Sequence, residues 1–288
     1  MVVVTLRKRW CSVTSFLILL QFIIQDKKES EGICKLIFTK VFNFSEIDIF
    51  LNKNIKNFDK DKIDNIISRI KKKEPIQYIL GVCDFLDCEL FVNENVLIPR
   101  QETQEMVYRI CHENNFNNKN VLDLCCGSGC IAIAVKKYFP QANVVAVDIS
   151  EKALEVAKKN AFKNNVEINF YRCDIFSKNI LKINNIDVII SNPPYVCEKE
   201  KENMSENILK YEPESALFVN NDNPLIFYKR ILEILPKILN SYGAVFCEIN
   251  EAFANEVMSL FHNITFKEVK INKDINDKNR WISAIGYE

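Results

Sequence analysis

The run Val188-Ile189-Ile190-Ser191-Asn192-Pro193-Pro194-Tyr195 places an amide, two prolines and a phenol directly behind an apolar stretch. Two consecutive prolines hold the backbone extended and contribute no N–H of their own. The Asn192 side-chain oxygen and the Pro193 carbonyl then stand as two acceptors at fixed separation. They match the two coplanar hydrogens of an –NH2 group. Tyr195 can cover the flat face of that group. The chemistry this pattern serves is alkylation of a weakly nucleophilic amide or aryl amine. Asn192, Pro193, Pro194 and Tyr195 form the catalytic set.

Three stretches upstream have the composition of a cofactor site. Val121-Leu122-Asp123-Leu124-Cys125-Cys126-Gly127-Ser128-Gly129-Cys130 ends a strand in an acid and opens a helix through a Gly-containing turn. Gly127 and Gly129 allow close backbone approach to a ligand. Cys125 holds the first glycine slot of G-x-G-x-x-G, which disfavours a pyrophosphate loop. Asp148 ends Val145-Ala146-Val147, 25 residues beyond Asp123. A carboxylate there can accept both hydroxyl hydrogens of a ribose. Arg172-Cys173-Asp174-Ile175-Phe176 puts an acid and an aromatic at the next strand end, suited to an adenine amino group and its ring face. The candidate cofactor residues are Asp123, Cys125, Gly127, Ser128, Gly129, Asp148, Asp174, Phe176 and Asn192. Taken singly, Asp148 is weak evidence, since an acid at a helix N-terminus is common, and Asp174 is as well explained as an ordinary loop carboxylate. Only the four stretches in order carry a functional reading.

These residues need a scaffold that brings strand ends together. From residue 119 onward strands and helices alternate: Asn120–Leu124, Ile131–Tyr138, Val144–Val147, Glu151–Asn164, Ile168–Tyr171, Ile186–Ser191, Leu225–Asn240 and Ala244–Ile249. Two strands near Ile264–Ile271 and Trp281–Tyr287 close the chain as a hairpin. Such βαβ alternation predicts an α/β fold, a parallel sheet with helices on both faces. Residues 1–73 are expected to be helical, with Ile33, Leu36, Ile37 and Val41, then Ile63, Ile66, Ile67 and Ile70, at helical spacing. Ser45 starts a helix, and Pro75 stops one. Phe85, Leu90, Phe91, Val92, Val96, Leu97 and Ile98 around Asn93-Glu94-Asn95 predict a β-hairpin. The expected domains are 1–83 (helical), 84–99 (hairpin linker) and 100–288 (catalytic).

In this order the four stretches resemble class I methyltransferases, and among them the PrmC/HemK family of peptide chain release factor glutamine methyltransferases. The likeness extends to Glu74-Pro75-Ile76-Gln77-Tyr78-Ile79-Leu80-Gly81 and Leu97-Ile98-Pro99-Arg100-Gln101-Glu102-Thr103. It also takes in Tyr211-Glu212-Pro213-Glu214-Ser215-Ala216-Leu217, and Lys273-Asp274 with Arg280. Residues 1–30 match poorly. The resemblance implies a Rossmann-like, mostly parallel seven-stranded sheet with an antiparallel C-terminal strand, behind a small helical domain that recognises the release factor. It implies S-adenosylmethionine as donor, S-adenosylhomocysteine as product, and the G-G-Q glutamine of release factors as acceptor. Substrate contacts would then come from Asn192, Pro193, Tyr195, Arg100 and Glu102. A ribosomal-protein glutamine is an alternative acceptor, and an adenine or guanine amino group a more distant one. The chain departs from the family pattern at Gln101, Gln104, Cys125, Asn250 and Asp277. At the last two, Asn and Asp are expected to occupy left-handed backbone in place of glycine.

Composition narrows the partners. The 288 residues carry 38 Lys plus Arg and 38 Asp plus Glu, for zero formal charge. Residues 1–85 hold 15 basic and 10 acidic side chains, and the rest 23 and 28. A long nucleic-acid track is therefore disfavoured, and a protein partner is expected. Eleven Cys with no C-x-x-C pair, and only His112 and His262, predict no metal site and buried thiols in a reducing compartment. Arg7, Lys8 and Arg9 precede an apolar run from Trp10 to Ile24, which is too short to span a bilayer. A buried first helix is expected there, with an export signal as the alternative. The chain is accordingly expected to be cytoplasmic, monomeric and off the membrane.

Overall fold

A computed structural model describes residues 12–55 and 59–288, and the chain divides into two compact units at Gly81/Val82. Arg7–Arg9 lie outside the described residues. The remainder of the apolar run forms α1 (Val13–Ile24), which buries Val13, Phe16 and Leu20 at helical spacing. Ser12 caps it in a reciprocal box with Ser15, and left-handed Gln25 ends it. Among the described residues no helix is long and apolar enough to cross a membrane.

The first unit adds α2 (Lys27–Lys40), α3 (Glu46–Phe50), α4 (Lys60–Lys71) and α5 (Ile76–Leu80). Asp26, Ser45 and Asp59 each cap a helix by accepting a backbone N–H three residues on. α4 buries Ile63, Ile66, Ile67 and Ile70 on one stripe against Phe16, Ile37 and Phe38. Arg69 locks the end of α4. Its Nε donates to Glu74 Oε2 at 2.8 Å, Nη1 to the Ile79 carbonyl at 3.2 Å and Nη2 to the Tyr78 carbonyl at 3.1 Å. The fork thus donates to two carbonyls at the end of α5. Arg69→Ala is expected to cost about 2–3 kcal/mol in urea unfolding of the full chain, because Glu74 and both carbonyls lose their donor. Lysine should recover little of it, since a single ammonium cannot span three acceptors in a plane.

The second unit holds β1 (Val82–Phe85), β2 (Cys88–Phe91), α6 (Gln101–Glu113), β3 (Asn120–Leu124), α7 (Cys130–Tyr138), β4 (Asn143–Asp148), α8 (Glu151–Lys163), β5 (Asn169–Arg172) and β6 (Ile186–Ser191). It continues through β7 (Val196–Cys197), α9 (Glu206–Tyr211), β8 (Phe218–Val219), α10 (Ile226–Ile238), β9 (Leu239–Glu248), α11 (Ala254–His262), β10 (Phe266–Lys273) and β11 (Asn279–Tyr287). Seven strands form one sheet in the order β10-β11-β9-β6-β3-β4-β5. β3, β4, β5, β6 and β9 run parallel, and β11 opposes both its neighbours. The expected mostly parallel sheet with a reversed C-terminal strand is present. The central strands are buried almost throughout, as Leu122, Ile189, Ile190 and Val245 show. Only strands covered on both faces by helices need such apolar runs.

The hairpin differs from expectation. It spans Val82–Phe91 and turns at Leu86-Asp87, with Phe85 paired to Cys88 and Leu86 left-handed. Asn93-Glu94-Asn95 does turn the chain, through an Asn93 side chain that accepts the Asn95 N–H at 3.0 Å. The segment beyond finds no strand partner, because the Ile98 N–H donates to the Glu212 carboxylate instead. Fully buried Asn160 on α8 docks the hairpin. Its amide accepts from the Phe91 N–H at 2.6 Å and donates to the Phe91 and Ser128 carbonyls at 3.0 and 2.9 Å.

Candidate active site

Parallel strands end at one edge of a sheet, and here Leu124 pairs with Val147 and Ser191, and Asp148 with Arg172. The loops after β3, β4, β5 and β6 therefore open together, where α/β sheets bind ligands. They line a cavity of about 250 Å³ with Arg100, Cys125, Gly127, Ser128, Asp148, Asp174, Phe176, Asn192 and Pro194 on its walls.

The turn after β3 carries three left-handed residues, Cys125 (φ 62°), Gly127 (52°) and Gly129 (78°). The Cys126 N–H latches it to the Val147 carbonyl, and the Gly127 N–H donates to Asp148 Oδ2 at 2.8 Å. Gly129 has a second constraint, since a Cβ there would meet the Ala157 Cβ at 3.1 Å. Left-handed backbone costs an L-residue roughly 1–2 kcal/mol, yet Cys125 adopts it. Asp277 does too (φ 63°), but Asn250 has an ordinary φ of −71°. The expectation that Asn250 fills a left-handed slot is therefore corrected. Its side chain donates to the Tyr195 carbonyl at 3.2 Å and to Glu200 Oε1 at 3.0 Å, and so braces the Asn192–Tyr195 loop.

Asp123 is buried beneath the turn. Its Oδ2 accepts the Ala132 N–H at 3.0 Å, while Oδ1 has no partner. Burial pushes its carboxyl well above the usual range, the Ala132 N–H opposes this, and the Asp148 charge adds to it. Burial also raises Asp148, against the N–H donors of Ser150 and Gly127. Asp174 Oδ1 accepts the Phe176 N–H at 2.9 Å, which presents Phe176 edge-on to Phe227 with ring centres 5.2 Å apart.

Behind β6 the Ser191 hydroxyl donates to the Leu124 carbonyl at 2.7 Å and fixes the start of the proline loop. Asn192 Nδ2 donates to Thr103 Oγ1 at 3.1 Å, and Thr103 donates to Glu248 Oε2 at 2.5 Å. The Tyr195 hydroxyl donates to the other oxygen of Glu248 at 2.7 Å. Burial and the Glu248 carboxylate push the Tyr195 phenol well up, so it stays a neutral donor. The far wall is held by Glu212, which accepts from Arg100 Nη2 at 2.6 Å and from the Ile98 N–H.

Pro193, Tyr195, Asp123 and Gly129 are not among the cavity's lining residues, and neither is Glu102. Asp123 and Gly129 instead brace the turn that lines it, through the Ala132 N–H and the Cys126 carbonyl, and Tyr195 is tied to Glu248. Sequence reasoning missed Thr103, Glu248, Asn250 and Phe227 as parts of the site. Glu248 carried a usable signal, since it ends an apolar strand in an acid just as Asp148 does.

Residues 24–81 match the PrmC N-terminal domain family, and residues 103–220 the methyltransferase small domain family. The chain is 38% identical to a release factor glutamine methyltransferase of Flavobacterium psychrophilum, covering 91% of this chain and 93% of the relative. It is 39% identical to one of Bacteroides thetaiotaomicron, covering 91% and 94%. Among solved structures, a methyltransferase from Pyrococcus furiosus shares the fold with a TM-score of 0.53 at 18% identity, over 77% of this chain and 98% of that one. The fold is that of class I methyltransferases, and the chain belongs to the release factor glutamine methyltransferase family.

Proposed function

We propose that the chain transfers a methyl group from S-adenosylmethionine to the side-chain amide nitrogen of the G-G-Q glutamine in peptide chain release factors. The observation that carries this is Asn192 standing on the wall of a cavity shared with Asp148, Asp174 and Phe176, in a chain whose relatives bear that name. The residues fit the donor. Asp148 offers carboxylate lone pairs to ribose hydroxyls, and Phe176 and Phe227 offer apolar walls to adenine. The partnerless Asp123 Oδ1 leaves acceptor capacity at the strand end below the turn. When bound, the donor supplies an electrophilic methyl on a positively charged sulfur.

The protein's own task is orientation. An amide nitrogen shares its lone pair with its carbonyl and attacks poorly. Asn192 Oδ1, on the cavity wall, is the acceptor that holds one amide hydrogen in plane, and the Pro193 carbonyl next along the loop is the second acceptor this reading requires. The same acceptors stabilise the positive charge that grows on nitrogen as its bond to carbon forms. The acidified N–H proton then leaves after transfer, so no strong base is required. The chain's zero net charge favours a protein partner over a nucleic acid. Phe50 and Ile47 on α3, 88% and 70% exposed, give the first unit apolar surface for the release factor. A monomer working in the cytoplasm, where translation ends, is consistent with these features.

The test is incubation with isotope-labelled S-adenosylmethionine, release factors and ribosomal proteins, followed by mass spectrometry. A label on the G-G-Q glutamine is expected. A label found only on a ribosomal protein overturns the assignment.

A further inference from the structure

Asn192 is an amide, and an amide presents either an oxygen or an NH2 group depending on which way it is turned. Only the oxygen is useful toward another NH2. Something must therefore fix the turn, and two residues outside the Asn-Pro-Pro-Tyr motif have the geometry to do so. Thr103 Oγ1 has one hydrogen and two lone pairs. Its hydrogen goes to Glu248 Oε2 at the short distance of 2.5 Å typical of a charged acceptor. Only lone pairs remain for Asn192, whose Nδ2 lies 3.1 Å away. Glu248 is itself only 1% exposed, and the Tyr195 hydroxyl occupies its second oxygen at 2.7 Å. Burial, and the Glu102 charge, raise the Glu248 carboxyl, while donation from Thr103 and Tyr195 and the nearby Arg280 charge oppose this.

From this relay we infer that Glu248 and Thr103 are positioning residues that set the polarity of the Asn192 amide, turning its Nδ2 inward and leaving Oδ1 as the acceptor on the cavity side. Glu248 acts through Thr103 and does not touch the substrate. Its second oxygen fixes Tyr195, so one buried carboxylate aligns both ends of the proline loop. For its kinetic consequence the inference rests on the glutamine reading above.

The relay distinguishes conservative changes. Thr103→Ser keeps the hydroxyl, and Thr103→Val keeps the shape without it. Glu248→Gln keeps the shape but brings its own NH2 to Thr103. The threonine hydrogen is then free to turn toward Asn192, and the amide flips to present donors to a donor. Thr103→Val and Glu248→Gln are expected to lower kcat at least about 30-fold while the dissociation constant for S-adenosylmethionine, measured calorimetrically, stays within about threefold. Thr103→Ser should turn over within about threefold of the unchanged protein. NMR of asparagine-labelled protein supplies a readout that needs no substrate. The Asn192 Nδ2 resonances, assigned by their loss in Asn192→Ala, should exchange slowly with water in the unchanged protein and in Thr103→Ser, and rapidly in Thr103→Val. Near-normal turnover in both disabled variants, or a slow Nδ2 proton that survives Thr103→Val, overturns the inference. If the unchanged protein labels no release factor glutamine, the glutamine reading falls, while the NMR comparison still decides how Asn192 is turned.

Discussion

Replacing Asn192 by alanine is expected to lower kcat by roughly 100- to 1,000-fold, the usual effect of deleting one preorganised partner of a charge that develops during reaction. In the proposed mechanism the acceptor deleted is the one that holds the attacking nitrogen, so the loss falls on the chemical step. Affinity for S-adenosylmethionine should change little, because Asp148, Asp174 and the Cys125–Gly129 turn remain intact. Alanine also frees Thr103 Oγ1 of its donor, but Thr103 keeps its bond to Glu248 and the loop keeps Ser191 pinned to Leu124. Rapid-quench single-turnover measurement alongside calorimetry separates the two quantities. A variant with turnover close to that of the unchanged protein would remove Asn192 from the mechanism.

Asp148→Ala should show the opposite split. Each hydrogen bond from a ribose hydroxyl to a carboxylate is worth about 1.5–3 kcal/mol, and two are at stake. A fall in S-adenosylmethionine affinity of roughly 100-fold or more follows. The change reaches further than the ribose, since Asp148 Oδ2 also anchors the Gly127 N–H and Oδ1 the Ser150 N–H. At saturating donor, kcat should recover most of its value, because Asn192 and its relay are untouched. The measurement is a donor titration at fixed release factor. Unaltered affinity would exclude Asp148 from donor binding.

The parts of this architecture legible in the sequence were those encoded locally. Strand ends announced themselves as buried apolar runs with an acid at or next to the last residue, as at Asp148 and Asp123, and the Ser45 cap was readable from its acidic neighbours. The hairpin was misplaced because its turn uses Leu86, a residue with no turn signature, in a left-handed conformation. The asparagine-rich triplet that advertised a turn sits where a glutamate 114 residues further along claims the next free N–H. The link from Thr103 to Glu248 could not be read, although Glu248 alone stands out as an acid closing an apolar strand. Its members are 89 and 145 positions apart, and no local pattern records that a threonine hydroxyl faces a strand end across the sheet. Asn250 was misread for the related reason that a glycine slot suggests backbone geometry, whereas here the side chain does the bracing.

The Asn160 clasp bears on the order in which the molecule assembles. It joins an amide from the hairpin, 69 residues earlier in the chain, to the carbonyl of Ser128 in the turn after β3, the proposed donor turn. Contacts between such distant segments form late, after the loop-closure entropy between them has been spent. The donor turn thus acquires its outer restraint only when the hairpin has docked. A chain still assembling would hold S-adenosylmethionine loosely, and the backbone amide of Phe91, remote from any reacting atom, would gain its protection from hydrogen exchange in the same step that makes the site competent.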